Sequence, residues 1–224
     1  MDPTQVPLSD TETVLIGLAV SAVVLPMATW RLVEHFNTMA HEGMHGAVGA
    51  LSGGTVRSIT MNENAEGETR VAFSGGGIHF PYTFLGYLGP SAFGLGAARL
   101  IQFGHILVVL WLIMGLLVLL LIKVRRSFGF VTVPLAGFLI FLVLKDTSQT
   151  AQVLVVYVIT WFLLLSGVRA VVQDGVNAGD AGILSGDTSI PRLVWFGLWL
   201  AGSVAAVVIG ARWMLHPAVH APVH

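Results

Sequence analysis

Long apolar runs dominate this chain. Stretches at residues 13–31, 84–103, 106–122, 130–144, 153–172 and 194–215 carry few charges, and they approach or reach the roughly 20 residues that cross a bilayer core. They predict about six membrane spans. A further helix is expected at residues 37–52, where small and apolar residues run up to a Gly53-Gly54 stop. It is short for a full crossing, so it either dips in from one face or continues from the first span. Residues 55–73 read differently. Val56-Arg57-Ser58-Ile59-Thr60-Met61 alternates, residues 62–67 hold turn formers, and Thr69-Arg70-Val71-Ala72-Phe73 alternates again, which predicts a β-hairpin. Ser74-Gly75-Gly76-Gly77 follows as a flexible link, and Gly86-Tyr87-Leu88-Gly89-Pro90 supplies small residues that let helices approach closely. The expected fold is an all-α polytopic membrane protein of about six spans plus this extra helix, with one small β-hairpin. No internal repeat is evident, and residues 1–224 read as a single membrane-embedded domain.

Composition supports the membrane assignment. The chain is 55% hydrophobic and 10% charged with a mean hydropathy of +0.82, a balance that a soluble domain of this length has too little interior to hide. A formal net charge of −1 and the lack of any basic cluster interleaved with aromatics exclude nucleic acid as a partner. Without cysteine there is neither a disulfide framework nor a thiolate metal site. Residues 1–12 carry Asp2, Asp10 and Glu12 but no Lys or Arg, unlike the basic start of a signal peptide, so the first apolar stretch is expected to stay on the mature protein. Lys123, Arg125 and Arg126 form the densest basic loop and by the positive-inside rule face the cytoplasm. Two spans separate that loop from the hairpin and two more from residues 173–191, so all three segments are expected on the cytoplasmic side. Trp30, Trp195 and Trp213 lie near span ends and read as interfacial anchors. In the tail at 216–224, Pro217 and Pro222 break the four-residue spacing of His216, His220 and His224, which predicts a disordered end.

The chemistry concentrates in His41-Glu42-Gly43-Met44-His45. The chain's own His and Glu frequencies give about 0.01 such motifs by chance, which sets coincidence aside. On a helix, residues four apart share a face, so both imidazoles can ligate one Zn²⁺ while Glu42 reaches its water as general base. His35, six positions earlier, falls off that face and reads as interfacial. A catalytic zinc usually takes three protein ligands. The segment at 173–191, on the same side as the motif, offers Asp174, Asp180 and Asp187, and His79 is a nitrogen alternative; Asp146 lies on the opposite side. Two classes of function remain: a zinc peptidase, or a membrane scaffold or assembly factor whose zinc site is structural or vestigial. Transport ranks last, because no inverted repeat is seen and His105 and Lys145 sit at span ends.

Taken together, the His41–His45 motif, Gly53-Gly54, the hairpin, Gly86-Tyr87-Leu88-Gly89-Pro90, and a late Asp180-Ala181-Gly182-Ile183-Leu184 with Thr188-Ser189-Ile190-Pro191 and Trp195 resemble the compact bacterial branch of site-2-protease-type membrane zinc metallopeptidases. The resemblance implies His41, His45 and Asp180 as zinc ligands and Glu42 as catalytic base. Other branches carry a Leu-Asp-Gly motif in an Asn/Pro context; the nearest Asp-Gly here is Asp174-Gly175, preceded by Gln173, and Asp174 therefore stays as the second candidate for third ligand. The implied activity is intramembrane proteolysis of transmembrane or juxtamembrane segments. The implied setting is a bacterial cytoplasmic membrane with the active site facing the cytoplasm, and a regulatory membrane partner is left unidentified.

Overall fold

The structure, a computed structural model, describes residues 5–74, 80–125 and 128–218. The glycine link at 75–77, His79, Arg126 and the tail histidines His220 and His224, each given a role above, lie outside these residues. Among the described residues the order is α1 (Asp10–Val24), α2 (Met27–Leu51), β1 (Thr55–Met61), β2 (Gly67–Ala72), α3 (Phe80–Gln102), α4 (Ile106–Lys123), α5 (Gly129–Asp146), α6 (Gln149–Asp174), a 3-10 turn (Gly175–Asn177), α7 (Gly179–Thr188) and α8 (Arg192–Leu215). This is a helical polytopic membrane fold with one small antiparallel hairpin. By length and composition α4, α5, α6 with its 3-10 extension, and α8 can each cross a membrane, and the bent pair α1–α2 makes a fifth if counted as one span. The 23-residue α3 is long enough, but its Gly, Ser, Tyr and Pro content keeps it out of that set. It packs against α2, α6 and α8, so protein rather than lipid surrounds much of it.

The first apolar run departs most from expectation. Ser9 caps α1 in a reciprocal capping box with Glu12, but the helix stops at Val24. Pro26 has no N–H to continue the ladder, takes φ −73° and ψ 139°, and becomes the N-cap of α2. The two helices meet at a 102° bend. The Thr29 hydroxyl donates to the Val23 carbonyl at 2.6 Å, satisfying one of the acceptors that the break frees. Residues 27–36, expected as span end and linker, are therefore the first turns of the motif helix, which starts ten residues before the position assigned from sequence and ends at Leu51, within one residue of the expected end. Gly53 follows with φ 82°, the left-handed conformation common after a helix C-cap.

The hairpin pairs Ile59 with Thr69 and Met61 with Gly67, with a bulge between Val56 and Ser58. Its turn is built on Asn62, whose Oδ1 accepts from the N–H groups of Asn64 and Glu66 at 3.0 Å each, and Ala65 takes φ 59°. Ile59 and Met61 are buried in the main core. The outer edge of β1 does not stand open: Arg125 N–H donates to the Ile59 carbonyl at 3.0 Å, and Val124 bridges Ile59 in parallel. The start of the α4–α5 loop thus packs directly against the hairpin.

The main apolar core gathers Val24, Ile101, Leu110, Tyr157, Leu164 and Met214 among others. A second cluster, with Tyr87, Ala181, Leu184, Trp195 and Trp199, fastens α7 to α3 and α8. Trp30, Trp195 and Trp199 are buried, so Trp30 and Trp195 pack the interior rather than anchor the interface. Trp199 donates its indole N–H to the Phe84 carbonyl at 2.8 Å, the polar handle a buried tryptophan needs. Large apolar side chains such as Leu112, Leu119, Leu139 and Val208 are exposed, as suits helix faces turned to lipid.

Candidate metal centre

The α-helical spacing of His41 and His45 places their Nε2 atoms 3.0 Å apart on the face of α2 that meets α3 and α7. The chain supplies the third group by turning sharply after α6. Gly175 takes φ 56°, the 3-10 turn follows, and α7 begins with Asp180 in its first turn. Asp180 Oδ2 then lies 3.5 Å from His41 Nε2 and 3.2 Å from His45 Nε2. These three residues form a group with ligand atoms close enough to share one ion. Tetrahedral zinc with bonds of about 2.0–2.1 Å requires ligand atoms about 3.3 Å apart, and the observed spacings bracket that value. Asp180 Oδ2 is also buried with no hydrogen bond of good geometry, although it faces two imidazole nitrogens. Burial works to raise the Asp180 carboxyl, but the adjacent His41 and His45 imidazoles in their protonated form outweigh it and hold it at about 2. A donor set of two imidazoles and one carboxylate fits Zn²⁺.

The surroundings orient these groups. His45 Nδ1–H donates to the Tyr82 carbonyl at 2.8 Å, which fixes the tautomer that leaves the Nε2 lone pair facing the cluster. The His41 ring meets Tyr87 edge-on at 4.7 Å between centroids. Gly86 makes the approach of α3 possible, because a Cβ there would strike the His45 imidazole. Glu42 is almost wholly buried, with Oε1 4.0 Å from His41 Nε2 and Oε2 accepting the Thr69 hydroxyl at 2.6 Å. A cleft of about 460 Å³ opens beside them, lined by Asn37, His41 and Glu42 of α2, the hairpin turn, Tyr87 and Asp174.

The other aspartates fall elsewhere. Asp174 Oδ2 accepts the Tyr87 hydroxyl at 2.7 Å at the end of α6 and is not in the cluster. Asp187 is exposed at the far end of α7. Thr69, Tyr82 and Tyr87 escape a reading of the sequence, since nothing local ties them to residues 27 to 46 positions away. Strand alternation does place Thr69 on the same hairpin face as Gly67 and Val71, and that is the signal available.

A helical membrane scaffold holding a largely enclosed His-His-carboxylate cluster beside a buried glutamate is the arrangement of a membrane metallopeptidase. The chain matches the Peptidase M50B-like family model over residues 14–210 and belongs to that site-2-protease family. A search among curated proteins and a search among solved structures each found no match.

The glycine at the α2–α3 contact gives a first test. Gly86→Ala is expected to push His45 out of place and lower zinc affinity by about tenfold or more, the range for losing a ligand's support. Competition with a chelating dye measures it, and an unchanged affinity would mean that α3 does not set the His45 ring.

Proposed function

We propose that this protein is an intramembrane zinc endopeptidase in which His41, His45 and Asp180 hold the metal and Glu42 is the general base. The observation that carries this reading is the convergence of Asp180 Oδ2 with both Nε2 atoms at near-tetrahedral spacing, although Asp180 lies 108 residues beyond Ala72, where the hairpin ends. Zinc, when bound, supplies Lewis acidity that acidifies water and polarises a peptide carbonyl. Glu42 takes the proton of the attacking water at Oε1, the oxygen nearer the cluster, and passes it to the leaving amine, so that water adds across the cleaved bond. Burial of Glu42 excludes bulk water from that transfer. The substrates are transmembrane or juxtamembrane segments of membrane proteins, which unwind to present a carbonyl because helical backbone groups are already paired. Residues 1–224 act as one membrane-embedded metallopeptidase-like domain, the hairpin and α7 both packing on the helical scaffold.

Removal of the metal tests this reading. Protein in proteoliposomes is expected to cleave a helical transmembrane substrate, to stop when a chelator strips the metal, and to recover on adding Zn²⁺. Cleavage indifferent to the chelator, or a zinc-loaded protein that cuts no such substrate, refutes it.

The active-site side faces the cytoplasm of a bacterial cell in this proposal, supported by the hydrogen bond that joins the basic Lys123–Arg125 segment to the hairpin. Because the chain lacks cysteine, a single Asn64→Cys reports alone. A membrane-impermeant maleimide is expected to label it only in inverted vesicles, and labelling from the outside of intact cells reverses the orientation.

A further inference from the structure

The hairpin does more at this site than border it. It lies along one face of α2 whose positions recur at helical spacing: the Thr38 hydroxyl donates to the Ala65 carbonyl at 2.6 Å, Glu42 meets Gly67 and Thr69, Gly46 lies against Ile59, and Gly49 against Val71. Both Thr69 and Glu42 are buried. A carboxylate so placed needs a donor, and the Thr69 hydroxyl supplies one to Oε2 at 2.6 Å. The same hydroxyl oxygen lies 3.2 Å from the Glu42 main-chain carbonyl, but its single proton is better spent on the nearer carboxylate. This leaves Oε1 as the oxygen turned toward His41, 4.0 Å from its Nε2. Gly67 completes the seat, since a Cβ there would run into Oε1, Cγ and Cδ of Glu42. The main-chain carbonyl of Thr69 in turn accepts the Tyr82 hydroxyl, and the Tyr82 carbonyl takes the His45 Nδ1–H. One residue of α3 thereby fixes both the strand that holds the glutamate and an imidazole of the cluster.

We propose that Thr69 is the positioning residue for Glu42: by engaging Oε2 from the hairpin it dedicates Oε1 to the attacking water, so that strand β2 completes the base that the His-Glu-x-x-His helix only begins. The inference rests on the peptidase reading. It makes hairpin docking a condition of turnover and leaves metal binding to α2 and α7.

Thr69→Val removes the donor at nearly constant shape, Thr69→Ser keeps it, and Gly67→Ala displaces the Glu42 side chain without touching the donor; Gly67 has no positive φ to forbid the change. In proteoliposomes with a transmembrane substrate, Thr69→Val and Gly67→Ala are each expected to lower kcat about tenfold or more, with KM within about twofold of wild type, as fits the loss of a charge-assisted contact at a proton-transfer group. Zinc per chain stays unchanged, and Thr69→Ser recovers to within about threefold. Wild-type kcat in Thr69→Val, a Thr69→Ser variant as slow as Thr69→Val, or loss of zinc alongside kcat overturns the proposal. A second readout needs no turnover: thermal melting of wild type, Thr69→Val, Glu42→Ala and the double variant. Non-additive shifts support the Thr69–Glu42 contact and additive shifts refute it. A zinc-loaded wild type that never cleaves takes down the peptidase reading, and the positioning role with it; the melting cycle then still decides the contact itself.

Discussion

Glu42→Gln is expected to keep one zinc per chain and to lose cleavage by about three orders of magnitude, in the middle of the range for removing a general acid–base group. The substitution is nearly isosteric. Its amide oxygen can still accept the Thr69 hydroxyl that now reaches Oε2 at 2.6 Å, so strand and helix stay docked, but the group facing the cluster no longer takes a proton. Metal is expected to remain because Glu42 is outside the group of three residues able to share an ion. The comparison is between cleavage of a reconstituted transmembrane substrate and metal content of the same preparation. A glutamine variant that cleaves within tenfold of wild type removes Glu42 from the mechanism. A cellular role that survives a zinc-bound, inactive variant turns the assignment toward the scaffold.

The second large effect concerns the metal itself. His45→Ala and Asp180→Ala are each expected to empty the site in mild detergent, with affinity falling by more than the roughly 10- to 100-fold that loss of a ligand's supporting partner costs. Asp174→Ala is expected to hold zinc near the wild-type level, because the Asp174 carboxylate accepts from the Tyr87 hydroxyl at 2.7 Å instead of joining the cluster. Zinc per chain measured by elemental analysis separates the two aspartates. Retention in Asp180→Ala with loss in Asp174→Ala would exchange their roles.

Much of this architecture is written in local pattern. The runs that became α4, α5, α6 and α8 need only apolar length, the hairpin needs alternation around an Asn-Glu-Asn turn, and the juxtaposition of His41 with His45 follows from 3.6 residues per turn. Where sequence reading fell short, the deciding interactions are long-range. Arg31, Glu34 and His35 look like a break between a span and the motif helix, yet the helix runs through them because Trp30 is buried in the main core and Phe36 meets Phe162 of α6. Pro26 carried the signal for the real break, two residues past the end of α1. Asp174 and Asp180 are six residues apart and chemically alike; the turn at Gly175 separates them, and no motif in this chain states the angle that turn takes. Trp30 and Trp195 sit at span ends, as interfacial residues do, and only packing reveals that their rings face inward. The Thr69–Glu42 contact spans 27 positions and depends on how the hairpin docks.

The break at Pro26 also bears on how the chain meets lipid of a given thickness. The 15 residues of α1 rise about 22 Å at 1.5 Å each, several ångströms less than the ~30 Å hydrocarbon depth of an ordinary bilayer. If Asp10 and Glu12 sit at the headgroups of such a bilayer, the helix runs out before the far interface and the bend falls in the apolar layer. In that setting an unpaired carbonyl would have no water to turn to, and the Thr29 hydroxyl on the Val23 carbonyl supplies the partner that a helix too short for the bilayer would otherwise lack.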